Sequence, residues 1–191
     1  MEPGYPDSRC PPQEERESLG IFGSMGHTPN DDPVATLLGD AQWLWREQQL
    51  RTPAEARLIA SGTQIVPDQK GMQEWGNFAR EPKRLFNLFQ HTGANGVVLL
   101  SGSVHFAKLS KTNEGPYPLY DFTSSGMTHV NETYPKVGNS YRVADPFFEQ
   151  NFGLIEIDWA AIPRPVVHMK ALSVDGAVGF HNQIELDELK K

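Results

Sequence analysis

The sequence predicts an α/β (α+β) fold, a mixed sheet with flanking helices. Three observations predict it. Two short, continuous apolar runs, Arg57-Leu58-Ile59-Ala60 and Val97-Val98-Leu99-Leu100, have the length and composition of buried strands. Each follows a stretch with helical spacing, so helix, strand, helix and strand alternate through the middle of the chain. After residue 105 the texture shifts to partly alternating runs, which suit mixed or antiparallel sheet.

The first 32 residues stand apart. They hold Pro3, Pro6, Pro11, Pro12 and Pro29, an acidic cluster at Glu14, Glu15 and Glu17, and few aliphatics. Such a stretch buries too little apolar surface to offset its ordering entropy. Residues 1–32 are therefore expected to be a flexible N-terminal segment, and 33–191 the ordered domain. Asp40 is placed to cap a helix over 41–50, with Leu37, Ala41, Leu44, Trp45 and Gln48 at helical spacing and Pro53 as its stop. The strand 57–60 follows, then a loop containing Pro67, Asp68 and Gly71. A second helix is expected from about Glu81 to Gln90, with Leu85, Phe86, Leu88 and Phe89 inward. Gly93 or Gly96 ends it, and the strand 97–100 comes next. Beyond lie strand signals at Leu119-Tyr120-Asp121-Phe122, at 154–159 and at 166–171, and Asp175-Gly176 marks a hairpin turn into one more short strand.

Composition narrows the function classes. The 17 Gly and 15 Pro point to a loop-rich architecture rather than a helix bundle. Against 24 Asp+Glu stand 17 Lys+Arg, for a net charge of −7, and there is no basic run. A binder of nucleic acid needs a concentrated basic face, so nucleic acid is not an expected partner. The single cysteine, Cys10, excludes an internal disulfide and a zinc cluster of the CxxC…CxxC kind. It sits in the flexible segment without an electropositive pocket, so it reads as a bystander. No apolar run approaches the roughly 18 residues that span a bilayer, so no transmembrane segment is expected. No basic n-region followed by an apolar h-region opens the chain, so no signal peptide is expected. There is no G-x-S-x-G elbow, G-x-G-x-x-G turn or Walker A loop.

The stretch most informative about chemistry is Ser101-Gly102-Ser103-Val104-His105-Phe106, directly after the strand 97–100. Ligands and reactive groups collect at the carboxyl ends of strands in α/β sheets. Gly102 would let the backbone turn. His105 then falls where a metal ligand or a general acid/base sits, or is a loop histidine bonded to a carbonyl. The hydroxyls of Thr123-Ser124-Ser125-Gly126 could meet an anion or simply form a polar turn after a strand. His27, His91, His129, His168 and His181 read as structural or surface residues.

From roughly Asn30 to Val178 the chain resembles the C-terminal half of a PhoD-like alkaline phosphatase, a branch of the metallophosphoesterases. The stretches that carry the resemblance include Leu38-Gly39-Asp40-Ala41-Gln42-Trp43-Leu44-Trp45, Arg57-Leu58-Ile59-Ala60-Ser61-Gly62 and Glu74-Trp75-Gly76-Asn77-Phe78. Further on, Gly93-Ala94-Asn95-Gly96-Val97-Val98-Leu99-Leu100-Ser101-Gly102, Tyr117-Pro118-Leu119-Tyr120-Asp121-Phe122-Thr123-Ser124-Ser125-Gly126 and Asn151-Phe152-Gly153-Leu154-Ile155-Glu156-Ile157-Asp158 continue it. The resemblance implies half of an α/β sandwich, hydrolysis of phosphate mono- and diesters, and divalent or trivalent metal ions (Ca, Fe, Zn or Mn) that activate water and neutralise phosphoryl charge. It makes His105 the expected metal ligand. It makes Asn77 a candidate substrate-binding residue, or else a loop amide capping the next helix. Members of the family are often exported; the residues themselves set no compartment.

Departures from the family pattern bear on activity. The family's strand-end motif is Ser-Gly-Asp-x-His-Phe, and here Ser103 stands in place of the Asp. That removes a carboxylate where a multivalent cation would bind, and Lys108 adds positive charge nearby. The motifs Asp-x-His and Asn-His are missing, and Gly39-Asp40 reads as a helix start. The expectation is a truncated phosphatase of impaired activity; the alternative is a catalytically inactive fragment serving as a binding or interaction module. With half a sandwich absent, Trp43, Trp45, Trp75 and the Phe-rich helix are expected to expose an apolar face and drive self-association.

Overall fold

Val97, Val98 and Leu99 are β-branched or aliphatic on both faces of their strand, so the strand needs cover on both sides. The computed structural model describes residue 30 and residues 32–67, 73–131 and 139–191. Nearly all of the expected flexible segment, with Cys10 and His27, lies outside the described residues, as do Asp68 and Gly71. The described elements run α1 (Asp40–Leu50), β1 (Arg57–Ala60), a 3-10 turn (Trp75–Asn77), α2 (Glu81–Thr92), β2 (Val97–Ser101), β3 (Ala107–Thr112), β4 (Leu119–Ser124), β5 (Asn151–Asp158), β6 (Val166–Ser173), β7 (Val178–Glu185) and a closing 3-10 turn (Leu186–Leu189).

These form two sheets. The first is mixed, in the order β1-β2-β4-β3, with β1, β2 and β4 parallel and β3 antiparallel to β4. The second is the antiparallel meander β5-β6-β7. Alternation along β4 directs its neighbours to opposite faces. Phe122 meets Phe180 of the second sheet with ring centroids 5.9 Å apart. Asp121 instead receives the backbone amides of Ile65 and Val66, which share a cleft with Pro82 and Phe86 of α2. The mixed sheet is thus a middle layer with α2 on one side and the meander on the other, the α+β arrangement the sequence predicts.

Helix α2 is specified locally. Glu81 and Pro82 occupy its first turn, Leu85, Phe86 and Phe89 are buried, and Gly93 closes it in the left-handed region at φ 67°. Full burial of Leu85 and Phe89 contributes about 1.5–3 kcal/mol each. Gly96 is required for a second reason: at φ 70° a Cβ would lie 2.1 Å from the carbonyl oxygen of Glu55.

Helix α1 begins one residue earlier than expected and turns another face inward. Gly39, not Asp40, is the N-cap, and the Gly39 amide donates to Gln42 Oε1 at 3.3 Å. Asp40 sits in the first turn, where its charge suits the helix dipole. Trp43 and Leu50 are buried, whereas Ala41, Leu44, Trp45 and Gln48 are exposed. Partners outside the helix decide this: Trp43 stands edge-on to Trp75 at 6.3 Å, its Nε1 donates to Glu81 Oε2 at 3.3 Å, and the Arg84 guanidinium lies 4.3 Å from its ring. The anticipated apolar face is therefore different. Trp43, Trp75 and the Phe-rich helix are covered, and exposure falls on Leu44, Trp45 and Leu58. Leu58 is exposed because β1 is an edge strand, not the buried one the apolar run suggested. The 3-10 turn and β3 carry no strong pattern, and β3 is a strand the sequence reading did not anticipate. Trp159 lies beyond β5 and is exposed.

Two buried carboxylates tie the layers together. Asp121, fully buried, accepts from Ile65 N at 2.8 Å, Val66 N at 3.0 Å and Ser101 Oγ at 2.6 Å. Glu81 Oε2 accepts from Leu37 N at 3.0 Å and Leu38 N at 3.2 Å as well as from Trp43. A buried charge is costly unless its lone pairs are filled, and here amides fill them. Asp121→Ala leaves the Ile65 and Val66 amides unpaired and Ser101 with Thr123 alone, and should destabilise the fold by about 3 kcal/mol, read as a lowered midpoint in urea unfolding.

Burial pushes the Tyr117 hydroxyl up to about 12; its O–H donates to the Ala94 carbonyl. An unfolded tyrosine titrates near 10, so the folded pKa is the higher one. The contribution is fully present below about pH 10 and is lost as the unfolded chain ionises between about 10 and 12. The unfolding midpoint should fall over that range, and Tyr117→Phe should flatten the fall.

Candidate functional site

Parallel strands bring their carboxyl ends to one edge. Here the edge gathers Ser61 and Gly62 after β1, residues 101–105 at the end of β2, and Ser125 and Gly126 after β4. The Ser61 amide donates to Leu100 O at 2.8 Å. A Cβ on Gly102 would lie 3.5 Å from Gly62 O and 3.7 Å from Ser125 Cβ.

The loop turns in an unexpected place. Positive φ falls on Ser103 (64°) and His105 (61°), not on Gly102. Left-handed backbone costs an L-residue about 1–2 kcal/mol, and histidine and aspartate tolerate it better than most. The cost is offset by bonds that hold the loop: Ser125 Oγ accepts from Val104 N at 3.1 Å and His105 N at 2.9 Å, and Asn131 N donates to His105 O at 3.0 Å. Strain held by neighbours in this way is a usual mark of a functional loop. The His105 ring is exposed, and His129 stands against it edge-on with centroids 4.7 Å apart. His129 Nδ1 lies 3.0 Å from Thr128 Oγ1. The sequence reads His129 as a structural or surface residue, and it is exposed; its contact with His105 is the feature that reading lacks. Its signal is its place in the loop after β4, the strand beside β2, and that adjacency is topological.

Other candidates sort out as follows. Asn77 ends the 3-10 turn; its carbonyl accepts from Asn30 N at 2.7 Å. Arg80 is the N-cap of α2, and its own side chain makes no capping bond. The turn hangs on the strand-end edge through Trp75 Nε1, which donates to Ser61 Oγ at 3.0 Å. The hydroxyls of 123–125 are engaged within the protein. Thr123 Oγ1 bonds Ser101 Oγ at 2.8 Å and Gln64 Nε2 at 3.0 Å, and Ser124 Oγ donates to Asn151 Oδ1 at 2.9 Å. These bonds weigh against the anion-binding alternative, and Thr123 and Ser124 end β4 itself, so only Ser125 and Gly126 follow the strand. A cleft of about 350 Å³ between α2 and Thr112, Glu114 and Tyr141 lies toward the other end of β4, where Thr112 pairs with Leu119.

Does the edge fit the metal ions the resemblance implies? Among the described residues, no three His, Cys, Asp or Glu side chains come together to hold an ion. The edge offers two imidazoles, while the nearby Asp121 carboxylate is buried and bonded within the fold. A hard cation such as Ca²⁺ wants six to eight oxygens, and a catalytic zinc site wants three protein ligands. The described donors do not fit such a cluster.

No protein-family model matches the sequence, and no curated protein matches it. Solved structures do match in fold. A structure of PhoD aligns over 85% of this chain and 37% of its own, at 18% identity and a TM-score of 0.59. A structure of GAP50, the anchor in the inner membrane complex of Plasmodium, aligns over 85% of this chain and 46% of its own, at 12% identity and a TM-score of 0.59. The chain thus spans less than half the length of either structure. Its fold is PhoD-like. No helix among the described residues is long and apolar enough to cross a membrane.

Ser125→Ala removes the shared acceptor for the Val104 and His105 amides. Each lost bond is worth about 1 kcal/mol, so hydrogen exchange at those two amides should speed several-fold while exchange in β6 stays unchanged.

Proposed function

We propose that this chain acts on phosphate esters as a PhoD-like phosphatase of weak activity, with its site in the loop 101–105. The observation that most supports this reading is His105: a positive-φ histidine, held by Ser125 and faced by His129, at the carboxyl edge of parallel strands on a fold shared with PhoD. In this reading water attacks the phosphorus, the ester P–O bond breaks, and His105 gives a proton to the departing oxygen, with Asn77 as a proposed substrate contact from the neighbouring turn. General acid catalysis supplies about 10²–10⁴-fold. That is far below the enhancement of about 10⁶–10¹⁷ typical of enzymes, so slow turnover follows from an edge that offers imidazoles without a carboxylate. A second reading, a non-catalytic binding module, is favoured by the lack of a third donor among the described residues and by the fold shared with GAP50, an anchor.

The test is hydrolysis of p-nitrophenyl phosphate and bis-p-nitrophenyl phosphate by the purified chain, with Ca²⁺, Fe³⁺, Zn²⁺ or Mn²⁺ added in turn. The first reading expects slow turnover that drops about 10²-fold in His105→Ala. Equal turnover in both proteins removes His105 from the chemistry, and no turnover in either favours the binding module. Ser103→Asp probes the same edge. Aspartate accepts the left-handed backbone at position 103 and restores a carboxylate, so it should raise metal-stimulated turnover; no gain would mean that position 103 does not face a cation.

A further inference from the structure

The outer face of the β5-β6-β7 meander carries a second imidazole pair, on a different layer from the loop 101–105. His168 Nδ1 and His181 Nε2 lie 3.0 Å apart, with ring centroids 5.2 Å apart and planes tilted by 39°. Strand alternation accounts for the meeting. Along β6, Val167, Met169 and Ala171 are buried in the core, so His168 and Lys170 point outward. His181 is the cross-strand partner of Lys170, which sets it diagonally next to His168. The charges around the pair are balanced. Glu156, the β5 partner of His168, takes Lys170 Nζ at 2.5 Å. That hydrogen bond, first among several causes, holds the Glu156 carboxyl below its usual range.

We propose that His168 and His181 form a two-imidazole site for a borderline divalent transition ion, Zn²⁺ or Cu²⁺. Imidazole nitrogens suit these ions. Zn–N bonds of about 2.0–2.1 Å put two nitrogens on one ion about 2.9–3.4 Å apart, and the pair already stands at 3.0 Å. In the bare protein one nitrogen donates its proton to the other. An ion takes the place of that proton once the donating ring moves its hydrogen to its other nitrogen, so the exchange itself releases no proton. His181 is exposed, which leaves its ring room to turn toward the ion. Glu156 is engaged by Lys170, so water completes the coordination shell.

The untagged full chain is titrated calorimetrically with Zn²⁺ and, separately, with Cu²⁺. The same titrations are run on His168→Gln, on His181→Gln and on a His105→Gln/His129→Gln double variant that removes the other imidazole pair. The expected result is one ion per chain, weakened at least ~10-fold by either meander variant, since loss of even an outer-shell partner costs that much, and unchanged in the double variant. Electron paramagnetic resonance of the Cu²⁺ form should show two coupled nitrogens, reduced to one in each meander variant. Binding that is absent, that survives both meander substitutions, or that disappears only in the double variant overturns the proposal. Both positions are on the solvent side of the sheet, and unchanged unfolding midpoints without metal show that the variants fold.

Discussion

A single carboxylate sets the geometry on which the candidate site depends. Asp121 projects from β4 and receives Ser101 from the end of β2 and two amides from the segment after β1. Three consecutive parts of the mixed sheet therefore meet at one anion. With Ser101 fixed, the loop that follows starts from a defined point, and Ser125 catches it at the amides of Val104 and His105. Glu81 does the same work between α1 and α2. A loop-rich chain with short strands has few long ladders to hold it, so amide-to-carboxylate bonds serve as its rivets.

Much of the architecture was legible because its signals were local. α2 carries proline at its start, glycine at its end and apolar residues at helical spacing. The hairpin between β6 and β7 carries Asp175-Gly176, with Gly176 at φ 88°. What was not legible depends on partners distant in sequence. The face of α1 is one case: its spacing allows an inward stripe at 41, 44, 45 and 48 or at 43, 46, 47 and 50, and Glu81 with Trp75 selects the second. β1 is another, since an apolar run looks the same at the centre of a sheet and at its edge. β3 was hidden by its composition. Lys108, Ser110 and Thr112 are all buried beside apolar Ala107 and Leu109, so neither face shows a pattern.

The same division runs through the site. The position of His105 was legible from the apolar strand before it. The left-handed backbone at Ser103 was not, because Gly102 was the obvious place for a turn. His129 was invisible, since nothing local says that the loop after β4 folds over the loop after β2. A scaffold by itself decides little about chemistry. What distinguishes a phosphatase from a binding module on this scaffold is the donor set at the strand ends, here two imidazoles and several hydroxyls already engaged inside the protein.

The most direct measurement follows the imidazole resonances of His105 and His129 by NMR while inorganic phosphate is added. Saturable shifts confined to residues 102–105 and 125–131 are expected if the loop after β2 recognises phosphate. Shifts that map instead to the cleft between α2 and Thr112, or no shifts at all, would contradict a phosphate-recognising site at the end of β2.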